Sequence, residues 1–269
     1  MTKRRNTQKL SIDTDYNNYT DTAVNTRQHH KGAKRYQPDP RANVLNFKSY
    51  TQQRKEVHLT PKSLKQEEYV DLLLDPTKLV VFATGPAGTG KTMLAVLAAI
   101  KAYKEGSCDK IIITRPAVGV DDEKHGFLPG DLNEKMAPWT RPIFDVMKEY
   151  YSPREIAQML EEEIIEISPL AFLRGRTFKN SWIIFDEAQN TSVNQMKMVL
   201  TRIGDNSKMV ITGDLNQNDR KFAAENGLAD FLDRLSQSKS NLITLVHFGN
   251  KDIMRHAVVK EVLCMYGES

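Results

Sequence analysis

A short segment between residues 85 and 92 combines three glycines with one lysine and two threonines, and it fits the spacing G-x-x-x-x-G-K-[ST]. The glycines let the backbone turn its N–H groups toward an anion, and a helix beginning near Lys91 would point its positive end at the same place. Lys91 is expected to reach the β- and γ-phosphates of a nucleoside triphosphate, and the Thr92 hydroxyl to ligate Mg²⁺. The predicted nucleotide-binding residues of this loop are Gly85, Pro86, Ala87, Gly88, Thr89, Gly90, Lys91 and Thr92.

Two adjacent carboxylates, Asp186 and Glu187, come directly after a run of four apolar residues. Such a run ending in charge is typical of a buried strand that carries acids at its carboxyl end. Asp186 is predicted to hold Mg²⁺ through its water shell, and Glu187 to polarise the water that attacks the γ-phosphate. The pair therefore indicates hydrolysis rather than binding alone.

Three other polar residues are candidates for the same site. Thr212 and Gln217 follow a further apolar run, and they are predicted to sense the γ-phosphate or to orient water. A simple turn at Gly213-Asp214 is the alternative interpretation. Gln66 precedes the loop and is predicted to read adenine through its amide, with a plain surface glutamine as the alternative.

Alternating strands and helices are predicted to position these residues. Strands are predicted at 79–83, 110–114, 163–168, 182–185, 208–214 and 242–246. Helices are predicted at 64–73, 91–100, 154–163, 193–203, 228–235 and 253–266, and a helix at 132–150 is expected to be interrupted around Pro138 and Pro142. This alternation predicts an α/β fold with a mostly parallel sheet and helices on both faces. The loop and the acid pair would then share the carboxyl edge of the sheet.

Composition and charge limit the cellular environment and the kinds of partner that the sequence predicts. The chain has 269 residues and no apolar run of the ~18 residues that a membrane span needs, so no membrane association is expected. Its two cysteines, Cys108 and Cys264, exclude a disulfide framework and favour a reducing, intracellular environment. Residues 1–56 carry twelve lysines and arginines against five acidic residues. A polar, basic arm of this kind is predicted to be largely disordered and to bind nucleic acid, with a solvated tail that only aids solubility as the alternative.

Several stretches taken together resemble the PhoH-like family, which are phosphate-starvation-inducible-type ATPases of bacteria and their phages. The resemblance runs in one order from about residue 60 to residue 266 and leaves the N-terminal arm uncovered. It is carried by 85–92, Thr114-Arg115-Pro116-Ala117, 126–132, 169–177, 186–190, 195–198, Thr212-Gly213-Asp214, Val246-His247-Phe248 and Arg255-His256. It implies a basic arm at 1–58 followed by an ATPase domain at 59–269.

The family is similar in turn to the first motor domain of superfamily-one helicases, with Asp186-Glu187-Ala188-Gln189 as the acidic box. This similarity implies a RecA-like P-loop NTPase fold, ATP with Mg²⁺, and a role on RNA or single-stranded nucleic acid. It also implies a cytoplasmic protein, either bacterial or phage-encoded in the host cytoplasm. Candidate nucleic-acid contacts are Arg115, Lys124 and the basic arm.

The helicase resemblance implies an arginine that this chain must obtain from a neighbour. Helicases close the nucleotide between two motor domains, and only one fits here. An arginine that stabilises the charge of the γ-phosphoryl transition state is worth on the order of 10³–10⁵ in rate. A homo-oligomeric ring, with a hexamer favoured, would supply it from Arg174, Arg176 or Arg255, and a surface or nucleic-acid role for each is the alternative.

Three functional hypotheses follow. The first is an oligomeric ATPase that couples hydrolysis to the handling of RNA or single-stranded DNA. The second is an ATP-binding regulatory or assembly protein without motor activity. The third is a kinase, against which the helicase-like acidic box argues. Glu187 separates the first two, because a protein that only binds nucleotide does not need that carboxylate.

Overall fold

The computed structural model describes residues 56–116, 132–217, 226–254 and 257–265. All of them fall within the unit Thr51–Ser269. Residues 1–55 of the predicted arm, together with Lys124 and Arg255, lie outside the described residues.

Six strands form one sheet in the described part of the chain, and every neighbouring pair is parallel. In chain order they are β1 (Val80–Thr84), β2 (Lys110–Arg115), β3 (Ile165–Pro169), β4 (Ser181–Phe185), β5 (Lys208–Gly213) and β6 (Ile243–His247). Their order across the sheet is β3-β2-β4-β5-β1-β6. Each strand lies within about two residues of its predicted position, so the predicted parallel sheet is confirmed.

Seven α-helices connect or flank these strands among the described residues. They are α1 (Leu64–Leu74), α2 (Lys91–Lys104), α3 (Leu132–Met147), α4 (Pro153–Glu161), α5 (Val193–Leu200), α6 (Gly227–Ser236) and α7 (Ala257–Met265). Crossover helices are what parallel strands require, because such strands cannot be joined by tight hairpins. Within the described ranges, no helix combines the length and the apolar character that crossing a bilayer would demand.

Apolar side chains fill both faces of the sheet. All residues of β1 and β4 are buried, which is typical of central strands that are covered on both sides. One core cluster packs α1, α2, α3 and α4 against the first face, and a second packs α5 and α6 against the other. The predicted α/β class, with helices on both faces, is therefore confirmed.

The strand register places the predicted site residues at one edge. Thr84 pairs with Gly213, Phe185 pairs with Ile211, and Phe185 also pairs with Thr114. The strands β1, β2, β4 and β5 therefore end level with one another. Since all are parallel, the segments that follow them share the carboxyl edge of the sheet.

Helix α3 differs from the sequence-based expectation, because it runs without a break through Pro138 and Pro142. Each proline removes one N–H donor from the helix, which predicts an interruption. Burial outweighs this loss, since Ile143 and Met147, one turn apart, both lie in the core. Packing against α2 thus fixes a helix that local propensity alone does not favour.

The start of the domain and the start of its last helix differ by a few residues from the positions predicted from the sequence. Val57, two residues ahead of the predicted domain start at 59, is buried in the core. Helix α7 begins at Ala257 rather than at 253. A 3₁₀ turn at Asn250–Asp252 precedes it, and the backbone N–H of Met254 donates to Gly88 O at 2.9 Å. The chain before α7 is therefore bonded to the predicted phosphate loop instead of being helical.

The ammonium group of Lys208, at the start of β5, closes the C-terminal end of α1. It donates to the carbonyl oxygens of Leu72, Leu73 and Asp75, and it lies 5.5 Å from the centre of the Trp182 ring. A cation at a helix C-terminus interacts favourably with the free carbonyls and the helix dipole. Burial nevertheless lowers the pKa of Lys208 to about 8, because the charged form loses hydration.

Replacing Lys208 with methionine tests this effect of burial. The pKa of Lys208 is about 8 in the folded protein against 10.5 for an unperturbed lysine, so the unfolded chain binds the proton more tightly between these values. The free energy of unfolding of the wild type should therefore rise through this interval, by on the order of 1–2 kcal/mol relative to Lys208→Met. Urea unfolding of both proteins across the interval measures the difference, and a difference that does not change with pH would contradict the assignment.

Candidate functional site

Three glycines give the loop between β1 and α2 its shape. Gly85, Gly88 and Gly90 have φ angles of 127°, 82° and 85°, which residues with a side chain rarely adopt. Gly90 is the N-cap of α2, so the loop ends where the helix exposes its first N–H groups. The loop is thus a concave turn that opens onto the positive end of α2, as an anion site requires.

Contacts with β5 and with the chain after β6 hold this loop from both sides. The N–H of Gly85 donates to Gly213 O at 3.1 Å, and that of Phe248 donates to Thr84 O at 2.8 Å. A Cβ atom on Gly85 would lie only 2.2 Å from Phe248 O. Glycine is therefore required at position 85 both by backbone conformation and by space.

Lys91 extends back over the loop. Its ammonium donates to Gly85 O at 2.6 Å and to Pro86 O at 2.8 Å, and it lies 3.3 Å from Thr89 Oγ1. These contacts hold the positive charge within the turn, beside the N-terminus of α2. Two sources of positive potential, the lysine and the helix end, therefore act on the same small volume.

Thr92 and Asp186 meet at the carboxyl edge of the sheet. The Thr92 hydroxyl donates to Asp186 Oδ1 at 3.0 Å, and the Thr212 hydroxyl donates to the same oxygen. Mg²⁺ prefers hard oxygen ligands in an octahedron at about 2.1 Å, in which neighbouring ligands are about 3 Å apart. The spacing and the chemistry of this oxygen pair fit a shared magnesium shell, with direct ligands or through water. Within the described ranges, no group of three or more His, Cys, Asp or Glu side chains could hold a metal ion. Mg²⁺ in proteins usually keeps several waters and is bound through one or two carboxylates together with substrate phosphates.

The backbone of Glu187 adopts a left-handed conformation, with φ 55° and ψ 42°. A residue with a side chain is rarely found there, and such strain tends to occur at functional sites. The Glu187 carboxylate accepts a hydrogen bond from Gln189 Nε2 at 2.5 Å. The turn therefore aims the two adjacent carboxylates of Asp186 and Glu187 differently and holds the second one in place.

Gln189 is a site residue to which the sequence analysis gave no role of its own. Its side chain is buried, and its amide connects the turn at Glu187 to the segment after β5. Nε2 contacts Glu187 and lies 3.3 Å from Gln217 O, while Oε1 accepts from the N–H of Asp214 at 3.0 Å. The signal in the sequence was its place in the acidic box, two residues after Glu187.

These elements enclose a cavity of about 270 Å³. It is lined by Ala87, Gly88, Gly90, Lys91, Thr92, Met93, Asp186, Glu187, Gly213, Asp214 and Gln217. The structure therefore brings together the loop, the acid pair and Gln217, as the sequence analysis expected. A cavity of about 1000 Å³ lies at the opposite edge, near Cys108 and Ile164, and the predicted site residues do not line it.

Helix α1 supports the loop from behind. Gln66 is buried, and its Nε2 donates to Thr89 O at 2.9 Å while its Oε1 accepts from Lys62 N at 2.7 Å. The Tyr69 hydroxyl donates to Lys91 O at 3.3 Å, and burial, followed by the charge of Asp186, raises the pKa of Tyr69. Gln66 thus bonds to backbone in this structure, and contact with adenine would require that its amide change partners.

The candidate arginines differ in how they are held. Arg176 makes a bidentate pair with Glu166, including a contact of 2.7 Å between Nη2 and Oε2, and it stacks on Phe178 at 4.7 Å. The hydrogen bond to Glu166 raises the pKa of Arg176. Arg174 is exposed, and the contacts described for this part of the chain include no ion pair for it. Of these two, Arg174 is the side chain that can reach outward without breaking an existing pair.

Replacing Gly85 with alanine is expected to destabilise the protein by about 2–3 kcal/mol, because the new methyl group collides with backbone at Phe248 and the φ angle is strained. Gly106→Ala is the matched control, since Gly106 also has a positive φ but a Cβ atom there would meet nothing within 4 Å. The control should lose only about 1 kcal/mol. Chemical denaturation measures both values, and equal losses would show that the close approach to Phe248 is unimportant.

Comparison with known proteins gives one consistent result. A family model described as PhoH-like protein matches residues 58–267. A "PhoH-like protein" of Bacillus subtilis is 44% identical over 205 residues, which is 76% of this chain and 63% of that protein. One from Synechocystis is 41% identical over 208 residues, covering 77% of this chain and 62% of that protein. "Protein PhoH" of Escherichia coli K12 is 41% identical over 192 residues, covering 71% and 53%. The matched region thus spans only about half to three fifths of the length of these relatives.

Proposed function

Because this chain belongs to the PhoH-like protein family, we propose that it binds ATP with Mg²⁺ and hydrolyses it, as a ring oligomer that acts on RNA or single-stranded nucleic acid. The observation that carries the proposal is the 3.0 Å contact between the Thr92 hydroxyl and Asp186, directly beside Lys91 and the N-terminus of α2. It unites the phosphate loop with a carboxylate 94 positions later in the chain. No purely structural turn between β1 and α2 requires that arrangement.

Each side chain has a distinct task in this reaction. Lys91 and the loop N–H groups would hold the β- and γ-phosphates. Thr92 and Asp186 would hold Mg²⁺, which when bound neutralises charge between those phosphates. Glu187 would orient and polarise the attacking water, and Gln189 keeps its carboxylate in position.

Glu187 also supports hydrolysis over purely regulatory binding. Its carboxylate lines the cavity, and its backbone is held in a conformation that costs of order 1–3 kcal/mol. A protein that uses ATP only to control assembly has no need for this conformational cost at Glu187.

A kinase would require a second substrate beside the γ-phosphate, and an assay for phosphate transfer rather than release distinguishes that activity.

The nucleic-acid proposal is supported by the distribution of charge, and the ring proposal by the need for an arginine at the γ-phosphate. The basic composition of residues 1–56 favours a polyanionic partner, and Arg115 ends β2 at the carboxyl edge of the sheet. A ring would bring an arginine from one protomer to the γ-phosphate held by its neighbour. A cytoplasmic location agrees with the use of ATP and with the low cysteine content.

Two substitutions separate binding from hydrolysis. Lys91→Ala should weaken ATP binding at least tenfold, because it removes the cation that contacts the phosphates. Glu187→Gln should retain ATP affinity and lower the hydrolysis rate by about 10²–10⁴, because the amide cannot polarise water. Calorimetric titration with ATP and a phosphate-release assay measure the two effects. Full hydrolysis by Glu187→Gln would favour the regulatory alternative.

The arginine proposal predicts that the ATPase rate per subunit rises with protein concentration as the ring assembles. Replacing the responsible arginine by alanine should lower the rate by about 10³ or more without loss of ATP affinity. Arg174→Ala, Arg176→Ala and Arg255→Ala are compared, with Arg234→Ala as the control because Arg234 pairs with Asp230 on α6. If all three variants stay fully active, no arginine of this set acts across subunits.

A further inference from the structure

Phe172 is a strongly exposed aromatic side chain among the residues that the structure describes, with 60% of its surface accessible. It lies in a 3₁₀ turn, Leu170–Leu173, that directly follows β3 at the carboxyl edge of the sheet. Its neighbours Leu170 and Leu173 are 3% and 0% exposed, so they anchor the turn from below. The turn therefore presents an exposed phenyl ring on an anchored backbone, and a flat ligand could stack on that ring.

The backbone around Phe172 is held by a set of specific contacts. The N–H of Arg176 donates to Leu173 O at 3.2 Å, and Arg202 Nη1 donates to Arg176 O at 3.0 Å. Arg176 is fixed in turn by Glu166 and by stacking on Phe178. A rigid support of this kind reduces the entropy that a ligand must lose on binding.

Among the described residues, two arginines lie near the Phe172 side chain. Arg115, the last residue of β2, pairs in register with Pro169, the residue before the turn. Adjacent strands are about 4.8 Å apart and a 3₁₀ turn rises about 2 Å per residue, so the backbones of Arg115 and Phe172 lie on the order of 10 Å apart. Arg115 is half-buried and Arg174 is exposed, while Glu166, the acid of β3, is paired with Arg176.

We propose that Phe172 stacks on a base of single-stranded nucleic acid while Arg115 contacts the adjacent phosphate. This inference rests on the proposed function and names the surface that the nucleic acid occupies. An aromatic ring beside cations binds single strands without reading their sequence, because every base offers a flat face. A neighbouring protomer is the alternative partner for the Phe172 side chain, and the mass of the assembly in solution distinguishes it.

The position of Arg115 connects this surface to the nucleotide site. The carbonyl oxygen of Thr114, the preceding residue, accepts the N–H of Asp186 at 3.0 Å. A nucleic-acid strand that binds Arg115 therefore contacts the residue next to Thr114, and the Thr114 backbone is hydrogen-bonded to Asp186, the proposed magnesium ligand. Nucleic acid bound at Phe172 is thus expected to change the ATPase rate.

The test measures binding of fluorescein-labelled oligo(U) and oligo(dT) by anisotropy, using the full chain. Phe172→Ala should weaken binding about 5- to 100-fold, since stacking on one base is lost, and Phe172→Trp should retain it. Leu242→Ala is the matched control, because Leu242 is 53% exposed but lies beside β6 at the opposite side of the sheet. Thermal unfolding confirms that each variant is folded.

Salt dependence separates the two contacts. The slope of log affinity against log salt should be unchanged in Phe172→Ala and should fall by about 1 in Arg115→Ala, since only the second removes a phosphate contact. Stimulation of ATPase by oligo(U) should be lost in Phe172→Ala, while the rate without nucleic acid stays that of the wild type.

Each contrary result has a defined meaning. If wild type and Phe172→Ala bind the oligonucleotides equally, the stacking site is wrong although the proposed function stands. If the wild type binds neither oligonucleotide, both the site and the nucleic-acid part of the proposed function fail, while the ATPase assignment is untouched. If Phe172→Ala changes the mass of the assembly in solution, the Phe172 side chain lies in an interface between protomers and the inference is overturned.

Discussion

The hydrogen bond between Thr92 and Asp186 depends on almost every other feature of the fold. Thr92 lies in the first turn of α2, after β1, and Asp186 follows β4, which is separated from β1 by β5. They meet because parallel strands that end level bring their connecting segments to one edge. The strongest requirement on this sequence is therefore that its strands keep their register, since a slip of one residue would turn every side chain to the other face.

Rigidity around the loop has an identifiable origin. The loop is bonded to β5 through Gly213, to the chain after β6 through Phe248 and Met254, and to α1 through Gln66. Hydrogen bonds from several separate segments thus stabilise the positive-φ conformations of the loop glycines. Strain at Glu187 is supported in the same way, because Gln189 ties it to the segment after β5. Preorganised polar groups of this kind are what a phosphoryl-transfer site needs.

Sequence patterns were sufficient to predict the fold and to predict which charged side chains lie together at the carboxyl edge of the sheet. Buried strands read as continuous apolar runs, and the phosphate loop has a spacing with few structural alternatives. Contacts that depend on packing were not visible. Pro138 and Pro142 predicted a broken helix, yet burial of the following turn keeps α3 whole. Gln66 and Gln189 are chemically alike in sequence, and only the fold shows that the first bonds to the loop backbone and the second holds Glu187.

We propose that Lys91, Thr92 and Asp186 together bind one magnesium-bound triphosphate. Calorimetric titration of ATP into the wild type and into Asp186→Asn, each with and without Mg²⁺, tests it most directly. We expect that Mg²⁺ strengthens ATP binding to the wild type and that Asp186→Asn loses this gain while keeping the metal-independent affinity. Equal gains from Mg²⁺ in both proteins would contradict it, because Asp186 would then have no part in holding the metal.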